Sequence, residues 1–270
     1  MYSRFESWPG SVTTDTTMAT TAIILAAGKG TRMKSDLPKV LHEVCGRPML
    51  AWVLDAARAA GCDRLLAVVG HQAGRVQETF AADGDDIAWV LQAPQLGTGH
   101  AVMVCREHLE AADGAVLVLA GDGPLIRAET LRELLATHAA ERAACTLATS
   151  ILPEPGRYGR ILRDEAGELV GIVEYLDANE AQRRVREVNV SIYCFDAAAL
   201  RDVLGELTHD NAKGEYYLTD ALGLLRRRGA KLAAVAAVPA EDVLSINTLE
   251  ELAHVERILS ERMRGCCDGV

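Results

Sequence analysis

The sequence predicts an α/β protein: a mixed, mainly parallel sheet flanked by helices, with a small antiparallel insertion in its second half. Three observations carry this. From residue 21 to about residue 143, short apolar runs alternate with amphipathic stretches, the pattern of doubly buried strands joined by crossover helices. From Ala144 onward the apolar runs follow one another across short turns, as antiparallel strands do. The first run ends in a glycine-rich loop, "LAAGKGTR", at the place where open parallel sheets bind ligands.

Residues 1–18 are Ser/Thr-rich and read as a disordered extension without the apolar core of a signal peptide; Met18 is a second candidate start. One domain is expected over 19–265. "TAIILAA" is its first buried strand, and "PMLAWVLDAARAAG" is an amphipathic helix closed by Gly61. "RLLAVVG" is a strand, Gln72 to Ala82 a helix, and "IAWVLQ" a third strand. "TGHAVMVCREHLEAA" reads as one helix, "GAVLVLAGD" as a fourth strand, and "RAETLRELLATHAAE" as a further helix. The strands "ACTLATSIL", "GRILRD", "LVGIVEY" and "REVNVSIYCF" then form the mixed or antiparallel insertion. Helices return at "AAALRDVLGEL" and "GEYYLTDALGLLRRRG", the latter ending in a solvated cationic turn. A last strand, "KLAAVAAV", precedes a helix opening near Asn247.

Composition excludes several functions. The 270 residues carry a net charge of −10, which argues against a nucleic-acid partner because phosphate backbones need a basic face. No apolar run is long enough to span a bilayer. The seven cysteines include no C-x-x-C pair. That argues against a disulfide framework or a zinc site and fits a reducing cytoplasm.

Four polar features fall at expected strand ends: the loop after Ala27, Gln92, Asp122 and Asn247. Gly28 and Gly30 allow a tight turn whose free N–H groups suit an anion. Arg32 adds a planar fork for phosphate oxygens, and Pro38 stiffens the chain before Lys39. A plain strand-to-helix turn with surface cations is the competing reading. Two phosphate motifs fail: Met33 stands where G-x-G-x-x-G needs its third glycine, and no G-K-[ST] closes a P-loop. Gln92 offers a donor and an acceptor to a base edge, or else caps its strand. Asp122 is a hard-oxygen donor suited to Mg²⁺, or a turn residue. Asn247 is a second oxygen donor, the N-cap of the last helix, or both. His100 reads as a structural residue at a helix start.

The stretch "LAAGKGTRMKSDLPKVLHEVCGRPML" resembles the signature of the sugar-1-phosphate nucleotidyltransferases. It is most similar to the uridyltransferase half of the bifunctional N-acetylglucosamine-1-phosphate uridyltransferases. "LQAPQLGTGHAV", "GDGPLI", "YGRILRD", "GIVEYLDANEAQ", "EVNVSIYCF" and "NAKGEYYLTD" follow that family in order over residues 21–264. The resemblance implies the Rossmann-like nucleotide-diphospho-sugar transferase fold. It also implies transfer of UMP from UTP to N-acetylglucosamine-1-phosphate, with Arg32 and Lys39 as catalytic cations. Ala26, Ala27, Gly28, Gly30, Gln92, Gly97 and Thr98 are then nucleotide contacts. Gly159, Glu174, Asn189, Tyr217 and Thr219 become sugar contacts, and Asp122 and Asn247 hold Mg²⁺. Ala120, Gly123, Leu176 and the pair Val190–Ser191 depart from the family pattern, most of them near the expected sugar pocket, which keeps another hexose-1-phosphate such as glucose-1-phosphate open; a nucleotide-binding module without turnover is the second alternative. No hexapeptide repeat follows, so the left-handed β-helix acetyltransferase domain of those enzymes is not expected, and their oligomeric state does not carry over.

Overall fold

The computed structural model describes residues 19–82, 86–110 and 112–267; the extension expected over 1–18 lies outside them. Eleven strands are present among these residues: β1 Thr21–Ala26, β2 Glu43–Val44, β3 Arg47–Pro48, β4 Arg64–Val69, β5 Ile87–Leu91, β6 Ala115–Ala120, β7 Cys145–Ile151, β8 Arg160–Arg163, β9 Leu169–Val173, β10 Glu187–Asp196 and β11 Leu232–Val235. The helices are α1 Met49–Ala59, α2 Ala73–Thr79, α3 Thr98–Met103, α4 Arg106–Glu110, α5 Ala128–Glu141, α6 Glu180–Arg183, α7 Ala197–Leu204, α8 Asp220–Arg227 and α9 Leu249–Cys267.

The main sheet runs β11-β7-β10-β6-β1-β4-β5. Along this path β10 is the antiparallel strand, paired with β6 on one side and β7 on the other. The other neighbours are parallel. Side chains alternate between two cores, as strand periodicity requires. Ile23, Val116 and Val118 face one core with α3, α4, α7 and α8. Ala22, Ile24, Leu117 and Leu119 face the other with α1, α2 and α5.

The fold class holds, and the insertion is smaller than its expected extent. β7 and β10 belong to the main sheet, while the β8–β9 hairpin hangs off β10. β7 is buried through six consecutive residues, so it needs cover on both faces. Three other expectations shift. The stretch after Gly97 breaks into α3 and α4. The β2–β3 hairpin, turning at Cys45 and Gly46 with φ of 52° and 75°, was not anticipated. The segment from Gly214 to Tyr217 is irregular and Leu218–Thr219 form a turn, so the helix opens only at Asp220, because the backbone bonds elsewhere: Gly99 N–H donates to Tyr216 O at 2.7 Å and Tyr216 N–H to Leu96 O at 2.8 Å.

A third, small cluster matters most for the site. Met33, Val44, Met49, Leu125, Ile246, Val255 and Leu259 pack together beneath α9. Met33 adjoins Arg32, Leu125 follows Asp122 by one turn, and Ile246 precedes Asn247. Apolar burial therefore gathers the three segments that carry the polar groups.

Candidate active site

The parallel strands deliver their carboxyl ends to one edge of the sheet, where a cleft of about 960 Å³ opens. Ala26, Ala27, Gly28, Gly30, Arg32, Lys39, Gln92, Gly97, Thr98, Asp122 and Asn247 all line it. Eleven expected residues thus meet in one cavity from four separate parts of the chain.

The glycine loop leaves β1 and turns at Gly30, whose φ is 61°. A Cβ there would lie 2.6 Å from the Lys39 Cβ, so only glycine lets Lys39 cross the loop. Gly28 corrects the reading of a tight turn: it is outside the left-handed region and nothing lies within 4 Å of where its Cβ would be. The turn belongs to Gly30, and the open space at Gly28 faces the cleft.

Asp122 follows β6, held in place where Gly121 N–H donates to Leu25 O at 3.0 Å. The main chain of Asp122 in turn accepts from Ile246 N–H at 3.1 Å, which brings the Asn247 loop alongside. Lys39 Nζ donates to Asp122 Oδ2 and, at 2.7 Å, to Asn247 Oδ1. Arg32 donates to the same Asn247 oxygen at 2.7 Å. Asn247 does not cap α9. Thr248 does, accepting from Glu251 N–H at 3.2 Å, while the Glu251 carboxylate accepts from Asn247 N–H at 2.6 Å and Thr248 N–H at 2.9 Å. That reciprocal cap frees the Asn247 side chain for the cleft.

This donor set suits a hard divalent cation. Two side-chain oxygens, from Asp122 and Asn247, converge on the Lys39 ammonium, an arrangement that could also hold a metal cation. Among the described residues no cluster of three or more His, Cys, Asp or Glu could hold a metal; two protein oxygens leave room for phosphate and water, as Mg²⁺ sites commonly do.

Further supports were invisible in sequence. Asp242, with 2% of its side chain exposed, is gripped by Arg127 at 2.5 Å and by Arg262 of α9. Tyr158 OH donates to Val243 O at 3.2 Å. Both fix the loop that leads to Asn247.

The five expected sugar residues do not line this cavity; they form an adjoining group. Asn189 N–H donates to Gly159 O at 2.9 Å. Glu174 Oε1 lies 3.4 Å from a Cβ at Gly159 and 3.4 Å from the Thr219 hydroxyl. Burial raises the Glu174 carboxyl above its ordinary range, against the pull of Lys213 and Thr219. Asn189 donates to Tyr193 OH at 2.7 Å. Tyr217 is buried, its hydroxyl pushed up to about 12 by burial and nearby carboxylates, and that oxygen has no partner among the described residues. Val190 and Ser191 line the cleft, and Ser191 N–H donates to Asn189 Oδ1 at 3.1 Å, so the two groups are contiguous.

The model of the MobA-like NTP transferase domain matches residues 22–212. The bifunctional protein GlmU of Pelobacter propionicus is 50% identical over 242 residues, covering 90% of this chain and 52% of that protein. GlmU of Caldanaerobacter subterraneus is 46% identical over 242 residues, with the same coverage of 90% and 52%. The chain spans about half the length of these curated relatives. A crystal structure of UDP-glucose pyrophosphorylase complexed with UDP-glucose shares the fold, with a TM-score of 0.73 at 18% identity over 91% of this chain and 100% of that one. The chain belongs to the family of MobA-like NTP transferase domains and is, with it, a nucleotidyltransferase.

Proposed function

We propose that the protein transfers UMP from UTP to N-acetylglucosamine-1-phosphate, giving UDP-N-acetylglucosamine and pyrophosphate. The observation that carries this is the meeting of Arg32, Lys39, Asp122 and Asn247 at one point of the cleft, linked to one another by hydrogen bonds. An oxyanion of the sugar phosphate attacks the α-phosphorus of UTP; the bond to the β-phosphate oxygen breaks and pyrophosphate leaves. The nucleophile is already ionised, so no general base is required. The obstacle is bringing two polyanions into line, and positioning with fixed charge supplies the catalysis.

Lys39 turns from its two oxygens toward the α-phosphate, where negative charge develops, and Arg32 holds the departing pyrophosphate. Mg²⁺, held by Asp122 and Asn247, neutralises phosphate charge when bound. The loop from Ala26 to Gly30 presents its backbone to the triphosphate, while Gln92, Gly97 and Thr98 receive the uracil. The neighbouring group of Gly159, Glu174, Asn189, Tyr217 and Thr219 receives the sugar; its continuity with the cleft, where Ser191 N–H donates to Asn189 Oδ1, supports this. The match to GlmU proteins supports the N-acetylated sugar. Ala120, which lines the cleft, favours glucose-1-phosphate as the second reading.

Pyrophosphate release with UTP and Mg²⁺ across a panel of sugar phosphates decides. The fastest kcat/KM is expected with N-acetylglucosamine-1-phosphate. A preference for glucose-1-phosphate replaces the sugar assignment, and UTP binding without release for any sugar phosphate overturns the transferase.

A further inference from the structure

Gln92 lines the cleft, yet its side chain is not free to choose which end it presents to a ligand. Gln92 is only 4% exposed. Its Nε2 lies 3.0 Å from Gly97 O and 3.1 Å from His100 Nδ1. The orientation of this amide follows from chemistry. Gly97 O is a pure acceptor, so the group facing it at hydrogen-bond distance is the NH₂ and not the carbonyl. One amide hydrogen goes to Gly97. The second points at His100 Nδ1, which accepts it only if that nitrogen is unprotonated and the ring proton sits on Nε2. Both donors of Gln92 are then consumed, and the end left for a ligand is Oε1, an acceptor.

Each partner is itself held. Gly97 has φ 107°, and a Cβ there would meet Tyr216 O at 2.6 Å. Its carbonyl also starts α3, accepting from Ala101 N–H at 3.1 Å. His100 sits in the first turn of α3 and packs against the Tyr216 ring, centroids 6.3 Å apart. Thr98 Oγ1 is committed to Leu218 N–H at 3.1 Å. The loop of Leu96 to Thr98, α3 and the Glu215–Leu218 segment thus form one rigid cradle around the glutamine amide.

We propose that His100 is a positioning residue for base selection, acting through Gln92 and resting on the uridylyl-transfer reading given above. Accepting the second amide hydrogen, it strips Gln92 of donor capacity and fixes a lone acceptor toward the nucleobase. An acceptor matches the N3–H of uracil. Against cytosine the same oxygen faces the lone pair of N3, and a glutamine unable to rotate cannot turn its NH₂ outward to meet it. Without His100 only Gly97 O still holds the NH₂, so the side chain can rotate until the freed amide hydrogen reaches the base edge, and discrimination between the pyrimidines weakens.

The test compares UTP with CTP in the intact protein. His100→Ala is expected to lower the UTP-to-CTP ratio of kcat/KM by about tenfold or more, the scale of one mismatched polar contact, through KM more than kcat. His100→Asn, whose Oδ1 takes the place of Nδ1 as acceptor, is expected to restore the ratio to within about threefold of the wild type. Calorimetric binding of UTP and CTP gives the same comparison without turnover, so absent pyrophosphate release sinks the transferase reading and leaves the role of His100 to the binding ratio. An unchanged ratio in His100→Ala overturns the proposal. So does an equal fall in the Ala and Asn variants, which marks a packing role, with thermal melts identifying any variant that fails to fold.

Discussion

Single residues in this cleft do opposing work for stability and for chemistry. Glu174 shows the conflict: burial raises its carboxyl pKa above the ordinary range, so the fold disfavours the ionised form present at neutral pH. Glu174→Gln removes that charge while keeping the shape. At pH 7 it should raise Tm by a few degrees and raise KM for the sugar phosphate severalfold, a trade of function for stability. The sign of the pH dependence follows. A carboxyl with a raised folded pKa weakens the native state above that pKa, so the Tm gap between variant and wild type should close as pH falls through it. A variant that melts lower at pH 7, or a gap that widens in acid, contradicts this. Residue types were well readable in the sequence because each is chemically apt at a strand end. What was not readable was division of labour: which glycine turns the loop, and which of Asn247 and Thr248 caps α9. Those depend on φ values and on partners far away in the chain.

Elements set the distances. α9 is 19 residues long, and its first turn carries the carboxylate that holds the Asn247 backbone. Glu251→Ala loses the carboxylate half of the reciprocal cap, leaving the Glu251 N–H bond to Thr248, and should cost about 1 kcal/mol of stability, together with a severalfold drop in kcat as Asn247 loosens. Glu251→Gln, which keeps an acceptor oxygen, should recover most of both. Urea titration and initial rates on the same preparations check the pair, and full kcat in Glu251→Ala would uncouple the cap from the site. Strands were legible because doubly buried runs are continuous and apolar. Two-residue strands such as β2 and β3 are too short to show a period. The 214–219 segment carries a helical pattern that main-chain bonds to the loop before α3 override.

At the scale of the molecule, two cores cover the sheet and a third ties α9 to the polar loops. The thiols report on the main cores. Cys105, Cys145 and Cys194 are fully buried, and burial raises all three, Cys105 to about 12. In the native protein they should resist alkylation at pH 8, reacting only as the sheet opens, whereas half-buried Cys45 should react sooner. Peptide mapping after timed labelling reads this directly; early modification of Cys145 or Cys194 would mean that the sheet breathes locally. The layering was predictable from alternation alone. The third cluster was not, since Met33, Leu125 and Ile246 are isolated apolar residues in segments that otherwise read as loop. One main-chain bond, Ile246 N–H to Asp122 O, has a temporal meaning. A nascent chain holds the glycine loop and Asp122 long before Asn247 emerges from the ribosome. Until the final helix docks, the oxygen pair is incomplete, so competence arrives as one late event in synthesis.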